Sequence, residues 1–193
     1  PGGASELLRP RGMSWRFVAL DVDFADLRAA GKSVGGSFND AFVASLLGAF
    51  RLYHEAMGHP VTGDATLRTS VPVSVRREGD AAGGNRWAPA RLAAPMGVAD
   101  PARRIREVSE QMRAARSEPA LESPDVVAPL LARLPGPLLT LVAGGSTQGN
   151  DLQASNVPGL RSEAFLCGAR IDRVYPFAPL PGCAAMISVV THG

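Results

Sequence analysis

Cysteine, lysine, histidine and long apolar runs are all scarce in this chain, and each shortage closes off a class of protein. Cys167 and Cys183 are the only two cysteines in 193 residues. They are too few for a disulfide framework and lie outside any CxxC spacing, so a reducing compartment is the default. Lys32 is the single lysine among 20 basic residues, set against 18 acidic ones for a net charge of +2. The arginines are scattered, with no basic run to track phosphates and no aromatic ribbon beside them, which argues against nucleic acid as a partner. The longest apolar stretch, Leu134 to Gly145, is too short for a membrane span and is broken by Pro135 and Pro137. No signal peptide opens the chain. The histidines, His54, His59 and His192, sit in no HExxH, HxH or Cys/His cluster, so their spacing argues against a metal site. The sequence also lacks GxSxG, a Walker A loop and GxGxxG after a strand, leaving no self-contained catalytic centre in view.

What is present describes an ordinary globular chain. It is 46% apolar and 20% charged, far from the signature of disorder. At this length one domain is expected, burying roughly 70% of the surface its unfolded form exposes. The Gly/Ala/Ser start at Pro1 and the stop at Gly193 directly after a strand-like run suggest a piece of a longer protein. Residues 1–14 read as a linker from a missing N-terminal half, and residues 15–193 as a domain truncated at its C-terminus.

Along that domain, residues 15–22 are dense in strand formers on both faces, as in a doubly covered strand. Asp23 caps a short helix closed by Gly31. Ser37 and Asp40 make a capping box for the strongest helix, Phe38 to Met57. Its broad apolar face carries Phe38, Phe42, Leu46, Ala49, Phe50 and Tyr53, with small residues (Ala41, Ala44, Ser45, Gly48) permitting close packing against a sheet. A strand over Thr66 to Arg76 alternates Val71, Val73 and Val75 with polar positions, and Pro72 makes it irregular or an edge at that point. A second strand over Arg86 to Ala93 is weakened by Pro89. Asp100-Pro101 starts a helix with the buried stripe Ile105, Val108, Met112 and Ala115. Another helix is expected from Ser123-Pro124 to the prolines at 135 and 137. Strands follow over Asp151 to Val157, Ala164 to Cys167, Ala169 to Tyr175 and Ala184 to Thr191. The order predicts an α/β domain, a mixed sheet with helices packed on it.

The polar residues at element junctions have ordinary readings when taken singly. Asn39 and Asp40 lie in a helix's first turn, where capping explains them. Ser155, Asn156, Val157, Pro158 and Gly159 carry a strand end into a turn. Arg76 and Asn85 read as loop residues, and His54 and His59 as solvated cations at a helix C-terminus. Taken in order the series is more specific. GGSFNDAFVASLLGAFRLY, VPVSVRR, GN, DPARRIREV, SNVPG and GARIDRVYPFAPLPGCAAMISVVTHG together resemble the second half of the wax ester synthase/diacylglycerol acyltransferase family, from about Trp15 to Gly193.

That family is similar in fold to CoA-dependent acyltransferases of the chloramphenicol acetyltransferase and condensation-domain type, in which two α/β halves enclose a channel. The resemblance implies transfer of a fatty acyl group from acyl-CoA, a co-substrate rather than a resident cofactor, to a diacylglycerol or long-chain alcohol. The family's general base lies in an HHxxxDG motif of the first half, so no catalytic residue is carried over to this chain. Asn39-Asp40 matches the family's ND motif and Ser155 to Gly159 its SNVPGP motif, with Leu160 replacing the second proline. Arg76 and Asn85 join them as further candidates on the channel side. Thr191-His192-Gly193 stands where the family has Ser-Tyr-x-Gly.

The expected partners are an HHxxxDG-bearing half of the same protein, acyl-CoA and a lipid alcohol. The expected location is cytoplasmic, with peripheral contact to a membrane or lipid body through Pro129 to Val142. Two other readings stay open on the sequence: a non-catalytic binding or scaffold module of the same fold, and condensation-type transfer from a carrier protein.

Overall fold

A computed structural model of the chain describes residues 5–9, 11–12, 14–74, 87–117, 133–138, 149–160, 162–177 and 182–191. The expected helix after Ser123, Arg76, Asn85, His192 and most of the 129–142 stretch lie outside them. A short 3-10 turn over Glu6–Leu8 precedes α1 (Phe24–Ser33) and α2 (Phe38–Ala56). Asp23 caps α1 by accepting from the Ala25 and Asp26 N–H groups, as its position before the first apolar residue predicts. Gly31 does not close α1 but lies inside it, because a Cβ there would strike the Ser37 carbonyl where α1 and α2 meet. The left-handed residue that ends the run is Gly35, at φ 78°. α3 (Pro101–Arg116) starts at Asp100, whose carboxylate accepts from the Arg103 N–H at 2.7 Å.

The sheet has the order β2-β1-β3-β6, from β1 (Leu67–Ser74), β2 (Trp87–Ala94), β3 (Leu152–Pro158) and β6 (Ala185–Thr191). β1 and β2 are antiparallel, while β1 with β3 and β3 with β6 are parallel, so the sheet is mixed as predicted. β4 (Phe165–Leu166) and β5 (Ala169–Arg170) form a separate two-residue hairpin turning through Cys167 and Gly168. The longer strands expected over 164–167 and 169–175 are reduced to these pairs, and residues 171–177 continue without a ladder.

Pro72 and Pro89 face each other across β1 and β2. Neither has an N–H to exchange, so theirs is a pair whose missing donors point outward. For Pro72, outward means toward β3. The sheet comes apart there. β1 and β3 pair only at Thr69 with Leu152 and Ser70 with Gln153. Beyond Ser70, β1 continues with β2 to Ser74, and β3 with β6 to Pro158.

The core lies between the helices and one face of the sheet. Ala88, Ala90, Leu92 and Ala94 of β2 point inward in strict alternation, and the predicted α3 stripe of Ile105, Val108, Met112 and Ala115 is buried against them. α2 is rotated relative to the expectation. Val43 and Leu47 are fully buried with Ala41 and Ala44; of the expected face Phe42 is buried, Leu46 and Phe50 pack only at the margin, Ala49 is exposed and Tyr53 is 44% exposed. The small residues let α2 approach its neighbouring helices closely, Ala41 against Gly31 of α1 and Gly48 beneath Arg104 of α3, which compensates for area lost by the aromatics. Residues 15–22 contradict the doubly covered strand. They lie extended outside the sheet, with every residue exposed. The side chains fit a pleated strand, but no neighbouring strand among the described residues receives them.

Candidate functional site

β3 is pinned at one end and open at the other. At its start Asp151 is buried, and its carboxylate accepts from Arg68 Nε and Nη2 at 3.2 and 3.1 Å and from Arg11 Nη2 at 2.9 Å. Its backbone N–H donates to the Arg68 carbonyl at 2.8 Å, and its carbonyl accepts from the Ala184 and Ala185 N–H groups. Arg11 also donates to the Gly182 carbonyl. One carboxylate thus ties together β1, β3, the entry to β6 and the N-terminal segment. Two guanidiniums balance the cost of burying it.

At its far end β3 emerges from the core. Leu152 and Ala154 are buried, Ser155 is half-buried, and Asn156, Val157 and Pro158 are exposed. None of the Ser155 or Asn156 side-chain groups makes a hydrogen bond among the described residues. Gly159 closes the motif against β6, where a Cβ would strike the Thr191 carbonyl. Because β1 has already turned away, the inner edge of β3 at 154–157 carries backbone groups with no strand partner among the described residues. The SNVPG sequence therefore presents polar side chains and free backbone groups at the mouth of a split sheet.

Asn39 and Asp40 stand in the first turn of α2. The last turn of the helix lies beside the start of β1, where His54, Thr66 and Met96 line one cleft of about 420 Å³. The two residues of the first turn differ. Asp40 is buried, and its Oδ2 accepts from the Ser37 N–H and Oγ, each at 2.8 Å, completing the capping box. Asn39 is half-buried, and its amide has no hydrogen-bond partner among the described residues. No hydrogen bond or ion pair among the described residues joins the ND pair to SNVPG.

The structure corrects the reading of His54 as a solvated cation. It is buried, with Nδ1 at 2.7 Å from the Phe50 carbonyl and Nε2 at 2.6 Å from Ser5 Oγ. A carbonyl can only accept, so Nδ1 carries a proton and donates to Phe50, while Nε2 shares a hydrogen bond with the serine hydroxyl. The ring pins residues 5–9 to α2 and is fully used in doing so. His59 is exposed.

Sequence reasoning also missed Arg104. This buried arginine donates to the Ala44 carbonyl at 2.8 Å and to the Val98 carbonyl at 2.6 Å, and lies flat on Gly48. Burial, with Arg51 nearby, lowers its pKa from the ordinary arginine value. The only sequence signal for it was a glycine in mid-helix. Burial likewise raises the Cys183 thiol pKa, while Cys167 is exposed on its turn. Among the described residues no three His, Cys, Asp or Glu side chains converge as a metal-ligand set.

Comparison with known proteins places these features. The profile of the WS/DGAT C-terminal domain matches residues 83–193. A Mycobacterium tuberculosis H37Rv protein provisionally named as a diacylglycerol O-acyltransferase is 46% identical over 189 residues, covering 98% of this chain and 38% of that protein. A second protein of that strain with the same provisional name is 28% identical over 186 residues, covering 92% of this chain and 36% of its own length. The fold is similar to that of the wax ester synthase/diacylglycerol acyltransferase from Marinobacter aquaeolei VT8, with a TM-score of 0.59 at 19% identity, over 87% of this chain and 37% of that one. The chain thus spans well under half the length of the relatives it matches.

Proposed function

Because the chain belongs to the wax ester synthase/diacylglycerol acyltransferase family as its C-terminal domain, we propose that it forms one wall of an acyl-CoA-dependent O-acyltransferase. The reaction joins a fatty acyl group to a diacylglycerol or a long-chain alcohol. The alcohol oxygen attacks the thioester carbonyl while a general base takes its proton, and the tetrahedral oxyanion then collapses and expels the CoA thiolate. In this reading the base is a histidine in the other part of the full-length protein, because the one buried histidine described here is committed to Ser5 and Phe50. This domain supplies the thioester side. The observation that carries the reading is the open end of β3, where Asn156 and the unpaired inner edge stand exposed beyond a splayed sheet. Such donors are what a developing oxyanion needs, and Asn39, whose amide is likewise unengaged among the described residues, joins them by its place in the ND motif. Arg76 and Asn85 belong with this group by their place in the family motifs.

The test is free thiol release from acyl-CoA by the full-length protein, with and without an acceptor. Release that depends on diacylglycerol or a long-chain alcohol is expected, and no acceptor-dependent release with either would sink the reading. The 193-residue chain alone should show no turnover. Among the described residues no helix is long and apolar enough to cross a membrane. We place the protein in the cytoplasm, meeting its lipid substrates at a membrane or lipid-body surface. Leu138, 45% exposed, is part of the stretch assigned to that contact, and Leu138→Asp should lower flotation with liposomes.

A further inference from the structure

Residues 15–22 have the composition and the extended backbone of a strand but no strand beside them. Among the described residues the segment belongs to no sheet and makes no backbone–backbone hydrogen bond. It is held by side chains of residues 173–177. Phe17 meets the Phe177 ring edge-on at a centroid distance of 5.0 Å. Asp21 accepts from Arg173 Nη1 at 2.6 Å and from the Tyr175 hydroxyl at 3.0 Å. Phe17 opposite Phe177 and Asp21 opposite Arg173 means that the two segments run antiparallel. Side chains alternate along extended backbone, so the face of Phe17 and Asp21 is taken. Val18, Leu20 and Val22 are left on the other, 82%, 81% and 61% exposed. An aliphatic strand face beside unpaired backbone is a template for another stretch of chain.

We propose that residues 15–22 are a docking strand, paired in the full-length protein by a strand from the part of the polypeptide outside these 193 residues. That part is large: over an alignment covering 98% of this chain, the relative contributes only 38% of its own length. The occupant fits the surface better than a lipid does, because a lipid offers no backbone groups in register with the unpaired ones of residues 15–22. A strand partner satisfies the backbone and covers Val18, Leu20 and Val22 in one step. The inference rests on the chain being the C-terminal domain of a longer protein and not on the transfer reaction, so its test needs no activity.

Hydrogen–deuterium exchange on the purified full-length protein should show the amides of residues 16–22 slowed on the order of 100-fold or more against unstructured chain. Exchange at unstructured rates would overturn the proposal. The photo-crosslinker p-benzoylphenylalanine in place of Val18 should join this segment to a peptide outside the 193 residues, within one molecule. Cross-links only within the 193 residues, only between two copies, or only to added phosphatidylcholine/phosphatidylglycerol vesicles would each overturn it. Failure of the thiol-release assay with the cross-link intact would leave docking standing and remove the acyl transfer alone.

Discussion

The two ends of β3 are built for opposite tasks. At Asp151 every backbone and side-chain group is engaged, two arginines converge on one buried carboxylate, and β1 and β6 are tied in. Five to seven residues on, Asn156 to Pro158 are exposed, β1 has departed and the Asn156 side chain binds nothing described. An open strand end forgoes a neighbour's hydrogen bonds and packing, and it persists only where the same strand is fixed elsewhere. The pinned end holds β3 in place so that the other can stay open. Substitutions at the two ends should therefore separate stability from activity.

The largest effect is expected at the pinned end. Asp151→Ala removes a carboxylate that is 1% exposed and strands Arg68 and Arg11 beside it. Breaking a buried pair costs about 3–5 kcal/mol. The value should fall at the low end of that range, because the arginine side chains are 30% and 21% exposed and partly resolvated. Urea unfolding of the full-length protein measures it, and a loss below about 1 kcal/mol would mean that the cluster is a surface ion pair in effect. Next comes Gly159→Ala, at the open end but against β6. Its Cβ meets backbone, the Thr191 carbonyl, which cannot swing aside. The expected cost is about 1–3 kcal/mol, with thiol release reduced as the SNVPG end shifts. A variant as stable as the parent would show that β3 and β6 separate easily there.

Asp40→Ala should cost less, about 0.5–2 kcal/mol, the worth of an N-terminal cap. Its carboxylate is occupied by Ser37, so turnover per folded molecule should hold. A fall in kcat/KM beyond the loss of folded protein would move Asp40 from the cap into the channel.

Much of this could be read along the chain because it depends on neighbours in sequence. The caps at Asp23, Ser37 and Asp100 bond residues two or three positions away, and the α3 stripe repeats at helical spacing. Pro72 also announced itself, since a missing N–H must weaken one side of its strand. What stayed hidden depends on groups far apart in sequence. Arg68 and Asp151 meet across 83 positions, Arg104 and Ala44 across 60, and Ser5 and His54 across 49. No local pattern foretells which charge will be buried with which. Residues 15–22 were misread for a different reason. Strand propensity reports a side-chain fit to a sheet and is silent on whose sheet it is. The candidate site divides in the same way: Asp40 is legible as a cap, whereas the opening beside Asn156 required the register of three strands.

The smallest effect on stability, and the sharpest contrast with Asp151, is expected at Asn156 and Asn39. Asn156 is exposed, Asn39 half-buried, and neither side chain makes a hydrogen bond among the described residues. Replacing either with alanine removes no described interaction, so unfolding should move by no more than about 0.5 kcal/mol. An asparagine that earns nothing in the fold is available to a ligand, and its amide can donate to a carbonyl or to the oxyanion that develops from it. If Asn156 binds the reacting thioester only as charge builds, Asn156→Ala should lower kcat and kcat/KM together, by about 10–100-fold, with KM nearly unchanged. If it holds the ground state alone, KM should rise and kcat hold. Asn39→Ala should follow the same pattern more weakly, since part of its side chain is shielded at the helix start. Full activity in both variants, with stability unchanged, would leave the open end of β3 without a role in the reaction.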